Sequence, residues 1–223
     1  MQSDGKILVG GKSYDGSNER FGLARYNANG SLDTTFGGDG KVTTDVGSGN
    51  DYIHSITVQS DGKILAAGYS FSVSDGYDFS MTRYNANGSL DTSFSGDGKV
   101  FTDFGFGAHK GYSVTVQDDG KILVAGISNA DFALARYNVN GSLDTSFGVD
   151  GKVTTAIGSG DDYGYDVTVQ SDDKILVAGY SDNGSYDLAL TRYNADGSLD
   201  TTFDLVNTLD GTPTFTEGGG AGR

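Results

Sequence analysis

The chain has 223 residues, of which 36 are Gly, one is Pro and none is Cys, and its net charge is −15. Without Cys there is no disulfide framework, no thiol nucleophile and no Cys-ligated zinc or iron–sulfur centre. Eleven of the 15 Lys and Arg residues recur at fixed places in a repeat, so no basic cluster is left to track phosphates or anionic headgroups. Nucleic acid and an anionic membrane surface are therefore not expected as partners, and membrane insertion is not expected because no run is long and apolar enough to span a bilayer. Apart from Glu19 and Glu217 every acidic residue is Asp, which favours turns and cation loops over helices.

The chain opens inside a unit that occurs four times. Its first Gln is Gln2, Gln59, Gln117 and Gln170, and the Arg of its Arg-Tyr-Asn triplet is Arg25, Arg83, Arg136 and Arg192. The two anchors drift together, which marks a tandem repeat, and the period suits a propeller or another array. The first unit begins without the alternating strand that precedes the Gln elsewhere. The third is the clearest. Ser113-Val114-Thr115-Val116 alternates polar and apolar, as a half-buried strand does. Asp118-Asp119-Gly120 is a tight turn, and Ile122-Leu123-Val124-Ala125-Gly126 is a short strand covered on both faces. Phe132–Tyr137 is a third strand, Asn138-Val139-Asn140-Gly141 a second turn, and Lys152-Val153-Thr154-Thr155 a fourth strand. In the third strand bulky Phe132 and Leu134 face one way and small Ala133 and Ala135 the other, a pattern that lets neighbouring sheets interdigitate. In the fourth unit Asp173 replaces the turn Gly, and Asp204-Leu205-Val206-Asn207-Thr208 replaces the last strand.

Four short strands per unit with no helix signal is the anatomy of a propeller blade. The expected fold is an all-β propeller of four tandem four-stranded blades over residues 1–206, followed by a poorly ordered tail or linker, 207–223. Two closures stay open: a four-blade ring, or half of an eight-blade ring completed by a second copy.

The recurring Gln-x-Asp-Gly-Lys-Ile-Leu-Val-Ala-Gly … Asp-Phe-Ala-Leu-x-Arg-Tyr-Asn-x-Asn-Gly-Ser-Leu-Asp-Thr-Ser-Phe-Gly resembles the bacterial delta-sixty repeat, a propeller repeat of large surface or secreted proteins. The resemblance covers Gln2 to Phe203. It implies a β-propeller and an extracellular or cell-surface setting, and it carries no catalytic signature. Thr212–Gly218 is similar to the opening strand of bacterial cadherin-like or Calx-beta domains.

Three constellations are candidates for function. The turns Asn27/Asn29/Asp33, Asn85/Asn87/Asp91, Asn138/Asn140/Asp144 and Asn194/Asp196/Asp200 place side-chain oxygens at alternate positions around a Gly, which suits either hairpin turns or calcium. Each Arg of the triplet has an Asp eight residues on, an arrangement for a recurrent scaffold ion pair. The third set differs between copies: Asp51, Tyr52 and His54; His109 and Tyr112; Asp161, Asp162, Tyr163 and Tyr165. Variable loops on a fixed frame are where binding resides, and Tyr beside Asp or His suits sugar recognition. A similar second set is Tyr69 and Tyr77 with Tyr180 and Tyr186. His54 and His109 lie at different repeat offsets, and no nucleophile elbow, zinc-protease motif or phosphate loop is present. The leading expectation is a non-enzymatic module that binds glycan or protein on one rim, with calcium as its candidate cofactor. The alternatives are a glycoside hydrolase working through paired Asp carboxylates, and a structural spacer.

Overall fold

The computed structural model describes residues 1–73, 76–182 and 184–203. Its elements are all strands. The first unit holds β1 (Ile7–Tyr14), β2 (Glu19–Tyr26) and β3 (Lys41–Thr44). The second holds β4 (Asp51–Val58), β5 (Ile64–Ser72), β6 (Gly76–Tyr84) and β7 (Lys99–Thr102). The third holds β8 (His109–Val116), β9 (Ile122–Ser128), β10 (Asp131–Tyr137) and β11 (Lys152–Thr155), and the fourth β12 (Asp162–Val169), β13 (Ile175–Asp182) and β14 (Tyr186–Tyr193). Each unit is one antiparallel sheet with its strands in chain order, giving sheets of three, four, four and three strands. The four strands expected in the third unit are β8 to β11. Among the described residues the sheets stack in sequence without closing into a ring. The expected boundary at 206, the tail 207–223 and the Thr212–Gly218 resemblance lie outside the described residues.

The hydrophobic core is not central but lies in three layers between successive sheets. Phe21, Leu23 and Phe36 of the first sheet meet Ile53, Ile64, Ala66 and Tyr84 of the second. Phe79, Met81 and Phe94 meet Val114, Val124, Ala133, Ala135 and Tyr137. Phe132, Leu134 and Phe147 meet Val167, Val177, Ala189 and Tyr193. The bulky face of each third strand thus packs on the small face of the next, and apolar area leaves water on both sides of the interior sheets.

The leading strands of the second, third and fourth sheets carry a bulge at one place, between Ile53 and Ser55, Gly111 and Ser113, and Gly164 and Asp166. The extra residue is His54, Tyr112 or Tyr165. A bulge leaves its extra residue outside the ladder and re-aims it. It also brings two backbones close: a Cβ at Gly68, Gly126 or Gly179 would strike the carbonyl of Tyr52, Lys110 or Tyr163. The Gly that ends each apolar strand is therefore set by the bulge opposite.

The turn residue of the first three units, Gly5, Gly62 and Gly120, has φ of 81 to 83°, and Asp173 adopts 63° in the fourth. A side chain in this left-handed region is strained. We expect Asp173→Gly to raise the melting temperature by about 2–4 °C, and Gly126→Ala to lower it by about 5 °C or more. Thermal denaturation followed by circular dichroism checks both.

Candidate functional site

The two ends of the sheets differ in kind. At one end the repeat is constant. Arg25 Nε donates to Asp33 Oδ2 at 2.7 Å, and Lys6 Nζ lies 3.0 Å from the same oxygen. Asp33 Oδ1 accepts from Thr35 Oγ1 at 2.6 Å. The set recurs as Arg83, Lys63, Asp91 and Ser93, as Arg136, Lys121, Asp144 and Ser146, and as Arg192, Lys174, Asp200 and Thr202. Each guanidinium also lies over the Phe that follows its Asp, Arg83 at 4.3 Å from the Phe94 ring centre.

These arginines reach beyond their own units. Arg25 donates to Ala86 O, Arg83 to Val139 O and Arg136 to Ala195 O, each the middle residue of the next unit's Asn turn. The Tyr beside each Arg points to the preceding unit: Tyr84 OH donates to Thr44 Oγ1 at 2.8 Å, and Tyr193 OH to Thr155 Oγ1 at 2.9 Å. Tyr137 OH pairs with Thr102 Oγ1 at 2.7 Å. The triplet thus links three consecutive sheets.

The twelve Asn and Asp residues weighed as calcium ligands have the geometry of Asx turns and ion pairs. Asn29 Oδ1 accepts from Ser31 N at 3.0 Å and Ser31 Oγ at 2.7 Å, and Asn27 Nδ2 donates to Ser31 Oγ at 3.0 Å. Asn87 with Asn85, Asn140 with Asn138, and Asp196 with Asn194 repeat this. Asp33, Asp91, Asp144 and Asp200 face cationic side chains. The Thr35 hydroxyl and Lys6 hold the Asp33 carboxyl well below the ordinary carboxylate range, as Lys174 and Thr202 do for Asp200. At Asp91 and Asp144 burial pulls upward, but the bonds from Ser93 and Lys63, and from Ser146 and Lys121, prevail and hold both low.

At the other end the variable residues gather. The bulges turn His54, Tyr112 and Tyr165 toward one another, and Tyr52 and Tyr163 join them from the same strands. Ring centres form an unbroken series from Tyr186 to Tyr180 (5.0 Å), Tyr163 (4.8 Å), Tyr165 (5.9 Å), Tyr112 (4.9 Å), His54 (5.1 Å), Tyr69 (5.1 Å) and Tyr77 (5.1 Å). Tyr52 stands 5.0 Å from Tyr69, and Phe71 extends the series beyond Tyr77 at 5.5 Å. The surface runs over the second, third and fourth sheets. Lys110 Nζ lies over Tyr69 and Tyr77 at 5.4 and 5.5 Å, and Lys12 Nζ over Tyr52 at 5.3 Å.

The surface is made of phenols and one imidazole. Burial and then the neighbouring phenols push the Tyr112 hydroxyl well above the ordinary Tyr value, and burial does the same at Tyr69 and Tyr163. At Tyr180 the Tyr165 hydroxyl adds to burial. Burial, then the Lys110 charge, lowers the His54 imidazole. Neutral phenols donate and accept hydrogen bonds, and their faces offer flat apolar area.

Of the residues expected on this rim, Tyr52, His54, Tyr112, Tyr163 and Tyr165 are brought together, and exposed Asp161 lies 3.4 Å from Tyr163 OH. Asp51, His109 and Asp162 are not: all three are fully buried. Asp51 accepts from the backbone of Val46 and Gly47, and Asp162 from Ile157 and Gly158, so both order the connection between sheets instead of facing solvent. Sequence reasoning ranked Tyr69, Tyr77, Tyr180 and Tyr186 second and passed over Lys12 and Lys110. The missing signal was the shared offset of His54, Tyr112 and Tyr165, visible once the three leading strands are aligned.

A family profile described as "Domain of unknown function (DUF5122) beta-propeller" matches residues 2–36, 59–94, 117–147 and 170–203. No curated protein matches the chain. Among solved structures, a protein of unknown function from Dyadobacter fermentans is 11% identical, with 89% of this chain and 65% of that one covered and a TM-score of 0.50. A protein of unknown function from Bacteroides caccae is 12% identical, with 91% and 81% covered and a TM-score of 0.38. A fucose lectin from Kordia zhangzhouensis in complex with methyl-fucoside is 12% identical, with 66% and 96% covered and a TM-score of 0.37. At these identities the first likeness bears on fold alone and the other two carry no argument. The chain spans less than two thirds of the Dyadobacter protein.

Two outcomes follow from the constant end. The carboxyls of Asp33, Asp91, Asp144 and Asp200 are lowered in the folded state, so their stabilisation is full above the unfolded carboxylate value of about 4 and is lost as pH falls below it. The melting temperature should drop steeply between about pH 4 and 2, and Asp91→Asn should flatten that slope while lowering the neutral-pH value. Millimolar calcium should leave the neutral-pH melting temperature where chelator leaves it, because the turn oxygens are already engaged. Melts across pH, with and without calcium, check both.

Proposed function

The chain belongs to the DUF5122 beta-propeller family, and we propose that it is a non-enzymatic binding module whose aromatic surface takes neutral glycans. The observation that carries this reading is the unbroken run of Tyr and His rings across three sheets, held by bulges and flanked by Asp161 and Lys110. Sugar rings present C–H faces that stack on aromatic faces, and hydroxyls that pair with neutral phenols, carboxylates and amines. A surface of phenol faces edged by both an ammonium, Lys110, and a carboxylate, Asp161, suits a neutral saccharide. The units would be delta-sixty repeats of a surface or secreted protein, with the propeller over residues 1–206 and the cadherin-like start in the tail.

A second observation favours partnership with another copy. Leu188 on the outward face of β14 is 66% exposed, whereas its counterparts Phe21, Phe79 and Phe132 are at most 1% exposed beneath the next sheet. On β1, Ile7 and Val9 are exposed while their counterparts Ile122 and Val124 are buried. Apolar faces of this kind bury area when sheets of a second copy stack on them and complete the ring. Leu188→Asp should convert a dimer to a monomer in light scattering. A monomeric parent chain would contradict this part.

For the main reading, binding to a panel of neutral polysaccharides by affinity electrophoresis is the test. Tyr165→Ala and Tyr112→Ala should each weaken the retarding interaction about tenfold, the exposed Tyr165→Ala without changing the melting temperature. Because the ordinary phenol value of about 10 lies above this range and the ordinary imidazole value of about 6.5 below it, retardation should be constant from about pH 7.5 to 8.5. Retardation by none of the panel, retardation untouched by both variants, or turnover of a polysaccharide abolished by a single Asp substitution would overturn it.

A further inference from the structure

Three positions recur beneath each connection between sheets. One follows the Thr that ends the short strand (Asp45, Asp103, Ala156) and one opens the next sheet (Asp51, His109, Asp162). The third precedes the buried aromatic of the third strand (Arg20, Asp78, Asp131). In the first connection a cation sits between two carboxylates: Arg20 Nη1 lies 3.0 Å from Asp45 Oδ1 and 3.8 Å from Asp51 Oδ2. In the second connection the Arg position holds a carboxylate, Asp78, and the carboxylate of Asp103 is kept. His109 takes the place of Asp51. The cationic centre of the first connection is gone, and two acidic groups face an imidazole.

That imidazole is fully buried. Its Nε2 donates to Gly105 O at 2.9 Å and lies 3.6 Å from Asp103 Oδ1. Its Nδ1 has no hydrogen-bond partner among the described residues. A ring nitrogen buried without a partner is costly unless something binds it. One donor atom from each of Asp78, Asp103 and His109 lies within 4.8 Å of the other two. Donors about 3.4 Å apart edge a tetrahedral site with bonds of about 2.1 Å, so small side-chain rotations close this set on an ion. Asp103 is exposed to solvent, and Asp78 lines an open cleft with Val46, Phe71 and Phe101.

The third connection supplies the contrast. Asp131 and Asp162 again stand without an Arg, but Ala156 removes the third donor. Burial, and then the charge of Asp162, raises the Asp131 carboxyl. The second connection keeps in Asp103 the donor that Ala156 removes from the third.

We propose that Asp78, Asp103 and His109 bind one divalent transition-metal ion, with zinc the best fit to one imidazole and two carboxylates. Calcium, which prefers all-oxygen ligands in greater number, fits worse. The ion would stand where Arg20 stands in the first connection and would tie β6 of the second sheet to β8 of the third. This is independent of the glycan reading.

The test uses the full chain with zinc chloride against chelator. Zinc should raise the melting temperature, and calorimetry should give one site. Asp103→Ala, the residue found at the matching position of the third connection, should melt in chelator as the parent does and bind zinc about a hundredfold more weakly. His54→Gln should bind as the parent does. If Asp103→Ala is destabilised in chelator, Asp78→Asn serves as the second variant with the same expected loss. No zinc-induced shift in the parent chain, parental zinc affinity in the variants, or loss of binding in His54→Gln would overturn the proposal.

Discussion

One guanidinium in each of the first three units fixes how its sheet meets the next. Its Nε is committed to an Asp of its own unit and its Nη1 to a backbone carbonyl of the following unit's turn. Desolvating such a pair offsets most of its Coulombic gain, so its net contribution to stability is small. What it supplies is register: a buried Arg with two fixed acceptors in two different sheets tolerates one relative placement. The apolar layers between sheets supply the driving force but are broad and non-directional, and would accept slippage that the Arg does not.

That placement is what assembles the other end of the molecule. Tyr112 belongs to the third sheet, Tyr69 to the second and Tyr165 to the fourth, yet the Tyr112 ring stands 4.9 Å from Tyr165 and 6.3 Å from Tyr69. No single unit contains the surface. The bulges aim one aromatic residue per leading strand, the Gly opposite makes room for the bulge, and the register set at the far end brings three such residues into contact. A constant end and a variable end are therefore two parts of one device, in which repetition holds the frame and divergence changes only what faces solvent. The connections between sheets diverge too, replacing Arg20 by Asp78 and Asp51 by His109 from the first to the second.

The strands and turns were legible in the sequence because each is a local signal: alternation in Ser113–Val116, a closed apolar run in Ile122–Gly126, Asp-Gly and Asn-Gly turns. The large-against-small pairing of faces was legible too, since period-two alternation fixes which residues share a face. The direction of the Arg was not, because its second acceptor lies more than fifty residues away and is a backbone atom without a residue-type signature. The bulges were hidden for a related reason. One added residue in a strand changes no composition, and it inverts the alternation beyond it, so His54, Tyr112 and Tyr165 read as loop residues. Asp51, His109 and Asp162 read as loop residues for the opposite reason, since polar type suggests exposure and their burial comes from backbone groups they satisfy.

The central claim, that sheet-to-sheet register depends on the Arg, is tested most directly by hydrogen exchange with mass spectrometry on Arg83→Met, which keeps the side-chain volume. The account predicts faster exchange in the variant both at Asn85–Asp91 of its own unit and at Asn138–Ser142 of the next, with Asn194–Ser198 unchanged. Faster exchange confined to Asn85–Asp91 would show that the Arg serves its own hairpin alone, and would contradict the account.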